Sequence, residues 1–219
     1  MRSTTRTALT ILVVVSGLST QAALGSPLLF TFEGELSLVE DAVGVLDPSI
    51  VVGASFAGQF SYDPAVEVDL EPDDPAFGAY SVSTTLTGKV GGVDYVTNLG
   101  VFVGLADNEG PGPNDTFRVD STGNADLQGL PFTQVNLYLA GGPEAFDGDG
   151  LPAALDLQDF DVWAAFEVFQ YVDGDPGGYA FYVNGGLTSL AVVPEPATLL
   201  LLSLAGILAL GRRRRHRAA

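Results

Sequence analysis

Across residues 28–38 one parity carries Leu28, Phe30, Phe32, Gly34, Leu36 and Leu38, while Thr31, Glu33, Glu35 and Ser37 lie on the other. A period of two sends alternate side chains to opposite faces, so such a stretch can bury one face only as a β-strand. The alternation returns at Phe56, Gly58, Phe60 and Tyr62 against Ser55, Gln59 and Ser61. It returns again at Tyr80, Val82, Thr84 and Leu86 against Ser81, Ser83, Thr85 and Thr87. Further strands are expected at 93–103, 116–121, 133–140, 162–172, 179–183 and 187–192, with Gly, Pro, Asp and Asn making the turns between them. Between residues 26 and 193 no apolar stripe recurs at helical spacing, and residues 151–161 allow one short helical turn. No sequence repeat at a fixed period suggests a solenoid. Many short strands with frequent turns predict an all-β domain, an antiparallel β-sandwich of two sheets or a jelly roll.

The charge is as unevenly distributed as the hydropathy. The formal net charge is −18, yet residues 26–193 hold 26 acidic and two basic residues, Lys89 and Arg118, for a net of −24. All 13 Phe, all seven Tyr and Trp163 fall in this acidic stretch, which supplies ample surface for a core. So negative a domain repels phosphate backbones, which argues against nucleic acid as a partner. The chain has no cysteine, and its one histidine is His216. Disulfides, thiol catalysis and thiolate metal sites are therefore excluded. A serine or threonine nucleophile in the domain would have no imidazole to activate it.

The termini are built for a different solvent. Arg2 and Arg6 precede an uncharged, mostly apolar run over residues 8–18, and Ala23-Leu24-Gly25 then offers small residues. That order reads as a secretory signal peptide, residues 1–25, with cleavage after Gly25 and Ala22 as the alternative. A retained anchor is the other reading, although the stretch is short for a span. At the far end come Pro194-Glu195-Pro196, a leucine- and alanine-rich run over 197–211, and Arg212, Arg213, Arg214, Arg215, His216 and Arg217. The prolines cannot donate to a sheet ladder and so end the preceding strand. As a helix the apolar run is about 22 Å long at ~1.5 Å per residue, against a hydrocarbon core of ~30 Å. Local thinning and arginine snorkelling can absorb that mismatch, so a single transmembrane helix is expected. The arginine cluster at 212–217 resists translocation, which keeps the C-terminus cytoplasmic and the acidic domain outside.

Val193-Pro194-Glu195-Pro196-Ala197-Thr198, the leucine-rich run and the arginine cluster together resemble the PEP-CTERM sorting signal, over residues 192–217. The resemblance implies recognition of Pro194, Glu195 and Pro196 by an exosortase. That is a membrane-embedded, cysteine-protease-like enzyme of Gram-negative bacteria that make extracellular polysaccharide. Gly58-Gln59-Phe60-Ser61-Tyr62-Asp63-Pro64, Leu155-Asp156-Leu157-Gln158-Asp159-Phe160 and Gly186-Leu187-Thr188-Ser189-Leu190 make the middle, 26–191, similar to a domain often attached to such tails. No activity comes with that second resemblance. The expected protein is an exported, non-catalytic component of the cell surface or matrix, with an exosortase, the membrane and extracellular polysaccharide as partners.

Three other chemistries compete for the acidic domain. Calcium favours oxygen-rich loops, and Asp147-Gly148-Asp149-Gly150 and Asp173-Gly174-Asp175 supply Asp147, Asp149, Asp173 and Asp175 as candidate ligands. Asp107-Asn108-Glu109 with Asn114-Asp115 is a further such loop, and none has EF-hand spacing. Solvated turns explain the same composition. A glycoside hydrolase needs two facing carboxylates, and Asp156, Asp159, Asp161 and Glu167 flank Phe160, Trp163 and Phe166. Dense acidic composition makes such neighbours common, and core aromatics beside solvated acids is the simpler reading. A carbohydrate-binding module would instead show exposed aromatics in a flat row. Lys89 reads as a solvated residue or an edge guard, and the Pro- and Asp-rich stretch 63–75 as a solvated, mobile loop.

Overall fold

The computed structural model describes residues 27–193 except 66, 83–84, 98–100, 110–113, 125–132, 147 and 173–174. Ala23 and Gly25, the PEP motif, the expected transmembrane helix and the basic tail lie outside the described residues. Ten strands follow in order: β1 (Leu28–Asp41), β2 (Ser55–Tyr62), β3 (Phe77–Val82), β4 (Thr87–Val90) and β5 (Val93–Val96). Then come β6 (Val101–Glu109), β7 (Asn114–Asn124), β8 (Thr133–Gly141), β9 (Trp163–Val172) and β10 (Asp175–Val193). Among the described residues the one helical element is a 3-10 turn at Leu157–Asp159, capped by the Asp156 carboxylate on the Gln158 N–H. No helix among the described residues is long and apolar enough to cross a membrane.

The domain is all-β and antiparallel. The two separate sheets expected from the sequence are replaced by one ladder in the order β3-β6-β7-β8-β9-β10-β1-β2-β4-β5. The join is the pairing of β1 with β10, which puts the first and last strands side by side near the middle of the sheet. The sheet nevertheless packs against itself as a sandwich does. β2 and β7 are five steps apart along the ladder, roughly 24 Å in a flat sheet at ~4.8 Å per strand. Yet the Phe60 and Phe117 ring centroids lie 6.2 Å apart. Phe56 of β2 stacks on Phe166 of β9 at 4.9 Å and 21°, and Tyr95 of β5 reaches Phe166 at 5.7 Å. Only a sheet curled over its own inner face brings these rings together.

Glycines on that inner face permit the curl. Phe56 covers Gly34 of β1 and Gly185 of β10, and a Cβ at either position would run into its ring and into the backbone of the neighbouring strand. Phe32 likewise covers Gly58 of β2. With no side chain beneath them, rings from flanking strands fold down onto the sheet and meet. The β1–β10 ladder slips register at Glu33/Gly34 and Leu36/Leu38, the kind of irregularity that bends a strand pair. Phe30, Phe32, Phe56, Phe60, Phe117, Phe166 and Phe181 are fully buried. Each contributes about 2–3 kcal/mol of apolar burial.

The β8–β9 connection closes one end of the curl. Leu155 and Phe160 are buried in the core from it, and the Tyr62 hydroxyl donates to the Pro152 carbonyl at 2.7 Å. The Tyr80 hydroxyl donates to the Asp149 carbonyl at 2.8 Å, while Phe146 and Gly148 N–H groups donate to Asp115 and Asp107. The acid-rich stretch before β3 is a run of side-chain turns. Asp63 accepts from Ala65 N–H, Asp69 from Glu71 and Ala79, and Asp74 from Ala76. At the opposite edge, Lys89 of β4 pairs with Asp94 of β5 at 3.0 Å, both exposed.

β1 begins and β10 ends at the same end of the sheet, with Leu29 opposite Val193. β9 runs from that end, where Trp163 pairs with Ala140, to the other, where Val172 pairs with Asp175.

Candidate functional site: a tyrosine platform and a sorting segment

The outward face of β7 to β10 carries a lateral row of polar residues, one per strand. Asp120 lies opposite Asn136, Asn136 opposite Glu167, and Glu167 opposite Asn184. With its side-chain amide turned so that the nitrogen faces its acceptor neighbours, Asn136 donates to Asp120 Oδ1 at 3.0 Å and to the Val135 carbonyl at 3.1 Å. Asn184 Nδ2 donates to Glu167 Oε1 at 3.2 Å, and Ser37 on β1 donates to Asn184 Oδ1 at 3.2 Å. Burial raises the pKa of Asp120, the Arg118 guanidinium bonded to it opposes the rise, and the charge of Glu167 adds to it. Asn136 and Asn184 are buried although they face outward.

Beside this row stands a cluster of rings on β9 and β10. Tyr171 and Tyr179 are directly opposite in the ladder, with ring centroids 5.0 Å apart and planes at 23°. Tyr179 and Tyr182 follow at 5.1 Å, and Phe169 packs edge-on beneath both Tyr171 and Tyr179. Tyr171 is 38% exposed, whereas Phe169 is 6% exposed and acts as the floor. The Tyr182 hydroxyl donates to Glu167 Oε1 at 2.6 Å, which joins the rings to the polar row. Burial raises the Tyr182 pKa, and the Glu167 carboxylate raises it further. The Tyr179 pKa is also raised, first by its hydrogen bond with Tyr171. Tyr179 and Tyr182 are therefore neutral hydroxyls at neutral pH. The described donors to Glu167, Tyr182 and Asn184, both reach Oε1, so among the described residues the arrangement presents an apolar ledge with Oε2 as an acceptor at its rim.

The structure does not bring the other candidate groups together. Phe160 and Phe166 are core residues, whereas Trp163 is 51% exposed near the start of β9. Asp156 is a cap, Asp159 and Asp161 are exposed, and Glu167 faces the tyrosines. Of the candidate calcium ligands, Asp147 and Asp173 lie outside the described residues. Asp149 belongs to the β8–β9 connection and Asp175 to the start of β10, so they sit in connections at opposite ends of the ten-residue β9. No group of three or more His, Cys, Asp or Glu that could hold a metal occurs among the described residues. A groove of about 460 Å³ lies elsewhere on the outer surface, lined by Glu33, Glu35, Ala57, Lys89 and Thr188 among others.

Sequence reasoning missed the tyrosines and the outward polar row. The available signal was in β9, where Phe166 and Val168 occupy one parity and Phe169 and Tyr171 the other. A strand with large residues on both faces has a second face in use.

An all-β domain whose last strand runs directly into Pro194-Glu195-Pro196 defines the class: a folded body carrying a C-terminal segment. Residues 192–215 match the family model of the PEP-CTERM protein-sorting motif. No curated protein and no solved structure matches the chain. The motif implies export, a membrane-anchored precursor and an exosortase-type processing partner.

Proposed function

We propose that this chain is an exported, non-catalytic component of the cell surface or extracellular matrix. A signal peptide at residues 1–25 directs it into the general secretory route. The helix at 197–211 and Arg212–Arg215 with Arg217 hold it in the inner membrane until an exosortase acts on Pro194-Glu195-Pro196. The mature domain then joins the extracellular polysaccharide. The match over residues 192–215 carries this reading. The absence of cysteine and histidine from residues 26–193 supports a non-catalytic role, because the common nucleophile–base pairs cannot be assembled there. The adjacency of Leu29 and Val193 supports it as well, since removal of either terminal segment leaves all ten strands whole.

The test is mass spectrometry of the C-terminus of the surface form, with and without Glu195→Ala. The wild-type surface form should lack the arginine tail, and Glu195→Ala should leave a full-length precursor in the inner membrane. An intact Arg212–Arg217 tail on surface material would reduce the segment to a plain anchor.

A further inference from the structure

We propose that the outward face of β9 and β10 is a binding site for a neutral, hydroxyl-rich polysaccharide, with Tyr171 and Tyr179 as the stacking ledge and Glu167 as the hydroxyl acceptor. The inference deepens the surface-protein reading and rests on it for its biological setting, although its test does not depend on sorting.

Three observations select the ligand. First, the ledge is partly apolar and open: Tyr171 is 38% exposed, and its ring is held parallel to Tyr179 by the edge of Phe169 below. A sugar ring offers an apolar face of axial C–H groups, and a pre-set aromatic pair receives it without loss of side-chain freedom. Second, Glu167 is fixed by two donors on one oxygen, Tyr182 and Asn184, which leaves Oε2 to accept from a ligand. A carboxylate acceptor pairs with O–H donors, whereas a carboxylate or sulfate on the ligand would be repelled. Third, residues 26–193 carry a net charge of −24, so the field around the ledge disfavours any anionic chain before contact. An aromatic ledge, a carboxylate acceptor and a strongly negative field together fit a neutral glycan and exclude an acidic one.

The position of the ledge suits display. Tyr171 and Tyr179 lie next to the β9–β10 turn, at the end of the sheet away from Leu29 and Val193. A chain held at its C-terminal tail would therefore turn this site outward.

The experiment is affinity electrophoresis of the full-length chain in detergent, through gels containing neutral xyloglucan or galactomannan, with polygalacturonate as the anionic probe. At least one neutral glycan should retard the wild type, and polygalacturonate should not. Tyr171→Ala and Tyr179→Ala should each weaken retardation roughly tenfold, as expected for a central aromatic anchor. Tyr171→Phe, which keeps the ring, should stay within about twofold of wild type. Trp163→Ala, at the opposite end of β9, should have no effect. Circular dichroism separates lost binding from lost folding, and Tyr171→Phe covers the case in which an alanine variant unfolds. No retardation by either neutral glycan overturns the proposal. So does retardation that survives both alanine variants, which would place binding elsewhere, such as the groove at Glu33 and Glu35. Preference for polygalacturonate would overturn it too. None of these results bears on whether Glu195 is needed for release, so failure here leaves the sorting reading standing.

Discussion

Gly34→Ala tests the physical cause of the curled sheet. A methyl at this position would collide with the tip of the Phe56 ring and with the Gly186 carbonyl. The carbonyl belongs to the neighbouring strand and cannot retreat without loosening the β1–β10 ladder. The ring can swing, but it is stacked on Phe166 at 4.9 Å and tilted against Phe32 at 6.4 Å. Overpacking of this kind costs about 1–3 kcal/mol, and a weakened aromatic pair adds roughly 0.5–1.5 kcal/mol. Against this, replacing glycine in a strand returns about 0.5–1 kcal/mol of backbone entropy. The net expectation is a loss of about 2–3 kcal/mol, hence a fall in Tm of roughly 4–12 °C for a domain of this size.

Thermal unfolding followed by circular dichroism measures it, with two companions that isolate the cause. Gly186→Ala is adjacent to Gly185, another glycine under the Phe56 ring, but its added Cβ meets nothing within 4 Å, so its Tm should change by no more than about 2 °C. Phe56→Leu shortens the obstructing ring. If the ring is the main obstacle, the double variant Gly34→Ala/Phe56→Leu should be at least about 1 kcal/mol more stable than additivity allows. An unchanged Tm for Gly34→Ala would refute the argument that glycines under rings permit the curl. Strict additivity in the double variant would assign the cost to the backbone instead.

The two most buried phenols should respond in opposite directions. Burial raises the pKa of both Tyr62 and Tyr95, but the Tyr62 hydroxyl donates to Pro152 whereas that of Tyr95 is buried without a partner. Tyr62→Phe should cost about 0.5–1.5 kcal/mol, and Tyr95→Phe should be neutral or stabilising by about 1 kcal/mol in chemical denaturation. Asp41 gives a pH-dependent case. Burial opposes its ionisation, but N–H groups of Leu46, Val45, Gly44 and Val43 outweigh that and hold its carboxyl below the ordinary 3.8. A depressed folded-state pKa contributes stability above the unfolded value, which is lost as pH falls through the folded one. Because the group is exposed and screened, Asp41→Asn should cost only about 0.5–1 kcal/mol at pH 7. The deficit should shrink as pH falls through the depressed folded-state pKa in denaturation curves, since both forms then become neutral.

What the sequence made legible was whatever depends on local period. β1, β2, β7, β8 and β9 lie close to where the sequence pattern puts them, since each turns alternate side chains into the core. The errors fall at glycines. Gly185 and Gly186 read as a break between two strands, yet β10 runs unbroken from Asp175 to Val193. Glycine there leaves room for Phe56 instead of ending the ladder, and only the ring on the next strand but one reveals that. The alternation read over residues 80–87 is divided between β3, which ends at Val82, and β4, which begins at Thr87 and pairs with β5 across Gly91 and Gly92 at φ 55° and 90°. The expected strand across 93–103 is split into β5, one edge of the sheet, and β6, next to the other edge strand β3. For the outward tyrosines the two-sided pattern of β9 was the signal available, and Tyr171 and Tyr179 become a site only once the β9–β10 ladder sets them opposite each other.

Joining the first strand to the last ties the fold to the tail. β10 supplies ladder bonds to both β1 and β9, so the sheet cannot be completed until Val193 has been delivered to the side where the domain folds. On the proposed reading, the next residues are the recognition motif and then the helix held in the membrane. A completed sheet therefore signals that the chain has passed through as far as Pro194. Conversely, a cut beyond Val193 leaves all ten described strands and the described core intact, because the buried rings lie between Phe30 and Phe181. Processing can then release a domain already at full stability. The tyrosine ledge lies at the far end of the same strand: Tyr182 precedes Val193 by eleven residues, roughly 35 Å at ~3.3 Å per residue. One long strand thus sets both the distance of the ledge from the membrane and the moment at which the fold closes.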